Sequence, residues 1–131
     1  MTEELPKIEA GETALLVMDF QPGIVGRIEG ADELLGRVEN AIAVAREAGA
    51  TVGYVRVALN DEDKANVPET NKSFSKLAAT GGMHADAPET QVHERLEPQD
   101  GDIVVRKVRV GAFSTTDLDE QLRAREIKNL I

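Results

Sequence analysis

The sequence predicts an α/β protein of three layers, in which a mostly parallel β-sheet lies between helices. Two observations lead to this prediction. Short apolar, β-branched runs alternate with a segment of helical periodicity, and the hydrophobic residues are nearly all aliphatic, since aromatic residues make up only 3% of a chain that is 41% hydrophobic. Unbroken aliphatic runs are typical of strands that are buried on both faces, as in parallel sheets. The length of 131 residues suits one domain.

The predicted elements follow from periodicity and from capping residues. Short apolar or β-branched runs indicate buried strands, and apolar residues at helical spacing indicate helices. Asp32 and Gly49 are placed to cap the two ends of the first long helix. A strand–helix–strand unit of this length favours a right-handed crossover and parallel pairing. In chain order, we predict a strand at Ala14–Met18, a loop from Gln21 to Gly30, a helix from Asp32 to Gly49, a strand at Thr51–Val57, a strand at Ile103–Arg106 and a helix after a cap at Ser114 or Thr116.

The segment from Leu59 to Gly101 is polar and contains several Pro and Gly residues. A connection of this length is rarely idle, so it predicts a lid or a binding loop, with short helical turns near residues 74–79 and 89–96. Residues 127–131 predict the opening of a fourth strand. Because chain termini are usually exposed and polar, we expect residues 1–131 to form a single Rossmann-like domain that is truncated after the start of that strand.

Charge and composition exclude several classes of partner. The formal net charge is −9, which repels phosphate backbones and anionic lipids, so neither nucleic acid nor a membrane is expected as a partner. The N-terminal sequence is acidic and polar, unlike a secretory signal, so a cytoplasmic location is expected. The chain contains no cysteine, which excludes disulfides and thiolate metal ligands from it. No cofactor is predicted.

Two charged residues occupy matching positions in the predicted sheet. Asp19 ends the first strand, and Lys107 ends the third. Because ligands bind beyond the carboxyl ends of strands in open α/β sheets, the two side chains could meet in such a crevice, where a carboxylate beside an ammonium can transfer a proton or hold an anion. On spacing alone the alternative stays open: an acid is common at the end of a first strand, and Lys107 could be a solvated strand end.

Two longer segments resemble a known family. ALLVMDFQPGIV, from Ala14 to Val25, resembles the opening of isochorismatase-like cysteine hydrolases: an apolar strand, then Asp, then a nearby Gln. PQDGDIVVRKVRVGAFSTTDLDEQLRAREI, from Pro98 to Ile127, looks like the second signature of the same family, in which a Gly-Asp turn precedes a strand, a Lys and a helix start. The two motifs occur in the right order, and the resemblance covers residues 12–131.

The resemblance implies a hydrolase that cleaves an amide, ester or vinyl-ether bond of a small molecule, and a homo-oligomer. It implies that Asp19 is the acid/base residue and Lys107 the anion-stabilising residue of an Asp-Lys-Cys triad. Gln21 and Phe113 match positions near the substrate, although a loop glutamine bound to backbone groups and a core phenylalanine are equally compatible with the sequence. The family's nucleophilic cysteine follows the fourth strand, beyond Ile131, so this chain by itself is expected to be inactive.

No metal site is predicted. Related nicotinamidases bind a metal through an Asp-x-His element after the second strand, whereas the corresponding residues 59–63 here contain no His. Asp61, Glu62 and Asp63 therefore suggest a solvated acidic turn, and His84 and His93 suggest surface residues without a paired ligand.

Three functions are compatible with the sequence. A cysteine-dependent hydrolase ranks first, and a non-catalytic relative that keeps the fold as a binding or oligomerisation module ranks second. A phosphoryl-transfer domain ranks third, because Asp19-Phe20-Gln21 lacks the second acid that would hold Mg²⁺.

Overall fold

A computed structural model describes the chain at residues 4, 5 and 7–131. The strands and α-helices are, in chain order, β1 (Thr13–Met18), α1 (Pro22–Val25), α2 (Ala31–Ala48), β2 (Thr51–Val57), α3 (Asp61–Ala65), α4 (Lys72–Thr80), β3 (Ile103–Lys107), α5 (Leu118–Ala124) and β4 (Asn129–Leu130). There are also short 3₁₀ turns at Ala10–Glu12, Pro88–Thr90 and Glu94–Leu96.

The four strands form one parallel sheet in the order β3-β2-β1-β4. This confirms the predicted fold class and the three long predicted strands, with β1 and β3 each one residue longer than predicted. β4 is the strand predicted to open near the end of the sequence, and it pairs with β1 at Thr13 and Ala14. The sheet order places β1 and β3 on either side of β2.

Helices cover both faces of the sheet. On one face, α2 packs through Leu35 and Ile42 onto Val17, Val52 and Tyr54. On the other face, the α5 residues Leu118 and Leu122 pack onto the alternate residues of the strands, including Val55, Ile103 and Val105. Alternation along β2 thus supplies a separate apolar core to each layer.

Two local predictions about helix starts were wrong. α2 is capped at its N-terminus by Gly30, whose φ is 76°, and Asp32 lies inside the first turn instead of at the cap. The reason is that Gly30 adopts the left-handed conformation which turns the chain into the helix, while Asp32 still benefits from the helix dipole. The predicted loop after Gln21 contains a helical turn, α1, for which Pro22 fixes a helical φ at the first position. The predicted C-terminal cap at Gly49 is confirmed, with φ 86°.

Hydrogen bonds hold the long connection between β2 and β3 together and fasten it to β2 and to the turn after β1. Leu59 N donates to Met83 O at 2.7 Å, and His93 N donates to Phe20 O at 2.8 Å. The Arg56 guanidinium donates to Ala85 O at 2.7 Å and to Thr90 O at 2.8 Å. Its predicted helical turns appear as α4 and as the two 3₁₀ turns at residues 88–90 and 94–96.

Within residues 4–5 and 7–131, no helix combines the length and the apolar character that crossing a membrane requires.

Candidate active site

Parallel strands bring the two predicted charged residues to one edge of the sheet. Asp19 directly follows β1, Lys107 is the last residue of β3, and β2 lies between them. The Asp19 N–H donates to Val55 O at 2.9 Å, and Lys107 is opposite Val57 in the β2–β3 register. Both residues are therefore held by the backbone of the same central strand.

The backbone of Asp19 turns sharply where β1 ends. Its φ is 65°, in the left-handed region, which Asp tolerates better than most residues with a side chain. The Asp19 carbonyl then accepts a hydrogen bond from Gln21 N at 3.0 Å. A tight, hydrogen-bonded turn thus presents the carboxylate at the strand end.

The side chains of Asp19 and Lys107 form an ion pair. Lys107 Nζ lies 3.1 Å from Asp19 Oδ1, donates to Asp19 Oδ2 at 3.4 Å, and donates to Val110 O at 3.0 Å. Lys107 is buried, with 4% of its surface exposed. Asp19 Oδ1 is shielded from solvent and faces the ammonium at the shorter of the two distances. The carboxylate is therefore held directly against a buried positive charge.

Gln21, the first predicted substrate-binding residue, is fully buried. Its Nε2 donates to Val57 O at 2.8 Å and to Thr90 O at 3.0 Å, and its Oε1 accepts from Val57 N at 2.7 Å. Backbone groups thus take up both amide hydrogens, and contact with a substrate stays a prediction.

Phe113 is the second predicted substrate-binding residue. It lies in the segment between β3 and α5, and 46% of its surface is exposed. Its neighbour Val110, whose carbonyl binds Lys107 Nζ, is also exposed. The segment therefore places an exposed aromatic ring in the stretch of chain that supports the ammonium, and a role for Phe113 in lining a pocket stays a prediction.

The predicted acidic turn is a short helix with a partly buried acid. Asn60 and Asp63 form a reciprocal capping box at the start of α3, and Arg106 Nη1 donates to Asp63 Oδ2 at 2.6 Å. Burial acts to raise the pKa of Asp63, but the hydrogen bonds from Arg106 and from Asn60 N outweigh it, so this pKa lies below its usual value. The expectation that Asp63 is simply solvated was wrong, because it binds the strand residue next to Lys107.

His84 lies closer to an acid than the sequence suggested. Its Nε2 is 3.7 Å from Asp61 Oδ1, although the two are far apart in the sequence. Asp61 itself is almost fully exposed. In the part of the chain that the structure describes, no group of three or more His, Cys, Asp or Glu side chains is arranged to hold a metal ion.

Three polar residues that bind backbone carbonyls near the site were not singled out from the sequence. Arg106 donates to Ala58 O, just after β2, while Arg56 and Thr90 donate to carbonyls of the β2–β3 connection. Two arginines within strand patterns were the available signal, since a charged residue in a buried strand requires partners.

The fold and the ion pair define a three-layer α/β protein with an acid–lysine pair at the carboxyl edge of its parallel sheet. Residues 13–131 match the Isochorismatase domain family, and the chain belongs to the isochorismatase family.

Curated relatives agree with this assignment. The chain is 34% identical over 124 residues to the isochorismatase family protein YwoC of Bacillus subtilis, covering 95% of this chain and 63% of the relative. It is 30% identical over 150 residues to the ureidoacrylate amidohydrolase of Stutzerimonas stutzeri, covering 95% of this chain and 58% of that enzyme. The chain therefore spans less than two thirds of the length of these relatives.

Solved structures share the fold. A cysteine hydrolase from Pseudomonas syringae pv. phaseolicola superposes with a TM-score of 0.81 at 24% identity, covering 99% of this chain and 63% of the other. The N-carbamoylsarcosine amidase of Thermoplasma acidophilum superposes with a TM-score of 0.70 at 28% identity, covering 91% of this chain and 65% of the other.

Proposed function

We propose that this chain supplies the acid/base residue and the cationic residue of a hydrolase that cleaves an amide bond of a small molecule. The observation that carries the proposal is the ion pair, in which the buried Lys107 ammonium lies 3.1 Å from Oδ1 of the Asp19 carboxylate. The pair lies at the carboxyl edge of a parallel sheet, where open α/β folds bind their ligands. A general base must be held in a fixed position within reach of the proton that it takes.

In this proposal Asp19 and Lys107 belong to an Asp-Lys-Cys triad. Asp19 takes the proton of the cysteine thiol, and the thiolate attacks the carbonyl carbon of the substrate. The C–N bond then breaks, and the leaving nitrogen takes the proton from Asp19. Water, deprotonated by Asp19, next cleaves the thioester and restores the thiol, while Lys107 stabilises the negative charge that develops near the pair. The 131 residues contain no cysteine, so the proposal requires a thiol that is supplied from outside them.

The bond type is proposed from the relatives. Ureidoacrylate amidohydrolase and N-carbamoylsarcosine amidase are both named for amide hydrolysis, which favours an amide over an ester or a vinyl ether here. We place Phe113 at the wall of the substrate pocket because its ring is half exposed in the segment that also binds the Lys107 ammonium through Val110 O.

A chimeric enzyme tests the proposal. Residues 13–131 would be joined to the remaining part of the Thermoplasma acidophilum N-carbamoylsarcosine amidase, and ammonia release from N-carbamoylsarcosine would be measured. We expect Asp19→Asn and Lys107→Met each to lower turnover by about 10²–10⁴-fold, the usual contribution of a positioned acid/base group. The matched control is Arg123→Ala, which removes an exposed ion pair with Asp119 on α5 and should leave turnover unchanged. Full activity in the Asp19→Asn chimera would refute the assignment.

A non-catalytic binding or oligomerisation module is the second candidate, and one observation favours it. An apolar groove of about 510 Å³ lies between α2 and the β1–β4 edge, and none of the residues that line it is charged. Val44 and Ile131 are its most exposed apolar side chains. If the chain forms a homo-oligomer through this groove, Val44→Glu should convert it to a monomer in analytical ultracentrifugation, and a wild-type chain that is already monomeric would exclude this use of the groove.

A further inference from the structure

A buried glutamine connects the two members of the ion pair. We infer that Gln21 is a positioning residue, which holds Asp19 and Lys107 together through the end of β2 and does not contact the substrate itself. The inference deepens the proposed function, because it concerns the same site, but it rests on the geometry of the pair and its test requires no turnover.

The side chain of Gln21 has no donor left for a ligand. It is fully buried, and its two amide hydrogens are directed to Val57 O at 2.8 Å and Thr90 O at 3.0 Å. An amide has two donor hydrogens, so both are in use. A residue in this state influences a reaction only through the groups that it holds.

The first group that Gln21 holds is the strand end beside Lys107. Its amide binds both the N–H and the carbonyl of Val57, which is the register partner of Lys107. Ala58 N in turn donates to Lys107 O at 3.2 Å. The position of the β2 end therefore sets the position of the lysine backbone.

The second group is the turn that carries Asp19. Gln21 lies two residues after Asp19 and donates its own N–H to Asp19 O at 3.0 Å. A left-handed φ at a residue with a side chain is unfavourable and persists only where the surroundings hold it in place. Because Gln21 binds the Asp19 turn with its backbone and the Val57 strand end with its side chain, it fixes the distance across which the carboxylate and the ammonium meet.

The competing explanation is that Gln21 only fastens the long β2–β3 connection, since the same amide also binds Thr90 O. Thr90 offers a matched control for this explanation. Its hydroxyl has one hydrogen to donate and lies 2.7 Å from His84 O and 2.9 Å from Ala87 O. Thr90→Val therefore loosens the connection but keeps the carbonyl that Gln21 binds and leaves the Val57 contact intact.

The experiment is a double-mutant cycle on the 131-residue chain, repeated in three backgrounds. The free energy of unfolding in urea is measured for the unaltered pair, Asp19→Asn, Lys107→Met and the double variant, which isolates the coupling between the two side chains. The cycle is then repeated with Gln21→Met, which is similar in size but makes no hydrogen bonds, and with Thr90→Val. We expect Gln21→Met to lower the coupling to less than half, and Thr90→Val to destabilise the chain without changing the coupling.

An unchanged coupling in Gln21→Met, or an equal loss in Thr90→Val, would overturn the inference. If Gln21→Met does not fold, Gln21→Asn takes its place, because it keeps the amide but shortens its reach by one methylene group. A full coupling in Gln21→Asn would then also overturn it. Since no readout depends on turnover, an inactive chimera would count against the proposed function while leaving this result standing.

Discussion

Lys107 Nζ lies 3.1 Å from Asp19 Oδ1, yet the two side chains differ greatly in exposure, with 5% of the Lys107 side chain and 41% of the Asp19 side chain accessible to solvent. The pair is therefore asymmetric. Burying an ammonium is costly unless a partner compensates it, whereas a half-exposed carboxylate can be solvated by water. Losing the Asp19 carboxylate should therefore destabilise the fold more than losing the Lys107 ammonium.

This asymmetry predicts unequal effects of the two single substitutions. Asp19→Ala leaves a buried ammonium whose remaining described hydrogen bond is to Val110 O, and should lower the free energy of unfolding by about 2–4 kcal/mol. Lys107→Met removes the buried charge itself and should cost less than about 1.5 kcal/mol. Urea unfolding of both variants checks this, and an equal or larger loss in Lys107→Met would show that the ammonium is effectively solvated.

A second ion pair lies on the α2 side of the sheet. Arg46 binds Asp102 through two hydrogen bonds of 2.8 and 2.7 Å. Burial acts to raise the pKa of Asp102, but the hydrogen bonds from Arg46 and from Gln99 N outweigh it, so this pKa lies below its usual value. A folded-state pKa that is lower than the unfolded one contributes stability that is present above the unfolded pKa and is lost as the pH falls through the folded pKa.

Asp102→Asn should therefore lower the free energy of unfolding by about 1.5–3 kcal/mol near neutral pH, the range for hydrogen bonds to charged groups. The difference from the unaltered chain should shrink below about pH 4, the ordinary pKa of an aspartate. Urea unfolding between pH 3 and pH 8 measures it. Asp119→Asn, which removes an acid from the exposed pair with Arg123, is the control and should give a small difference at every pH. A constant deficit across the range would contradict the assignment.

Periodicity was sufficient to predict the layers and the strands, because each strand is a continuous aliphatic run and α2 has a regular apolar face. The meeting of Asp19 and Lys107 also followed from the sequence, since parallel strands end at one edge. For Gln21 the sequence left binding to backbone groups open as an alternative, but it could not identify Val57 and Thr90 as the partners, because main-chain atoms carry no sequence signal. Asp63 was misjudged for a related reason: its partner Arg106 lies 43 positions away, and only the folded register brings the two together.

The capping box of α3 predicts a local effect. Asn60 Oδ1 accepts from Asp63 N at 2.8 Å, and Asp63 Oδ2 accepts from Asn60 N at 3.0 Å. Asn60→Ala should cost about 1 kcal/mol, the usual value of an N-cap. Because Asp63 also binds Arg106 Nη1, hydrogen exchange should become faster in α3 and at the carboxyl end of β3, where Arg106 lies, while exchange in α2 stays unchanged. Uniformly faster exchange throughout the chain would show instead that α3 does not open as a local unit.

The last prediction concerns the 131-residue chain on its own. In cysteine hydrolases the thiolate is the attacking group, and an Asp–Lys pair cannot replace the covalent step that it performs. Because the chain contains no cysteine, incubation with N-carbamoylsarcosine should give neither a burst of product nor an increase in intact mass. The measurement is mass spectrometry of the quenched protein, with the cysteine-containing chimera as the positive control. An adduct on the chain that disappears in Asp19→Ala would show that the carboxylate itself, or a group that it activates, acts as the nucleophile.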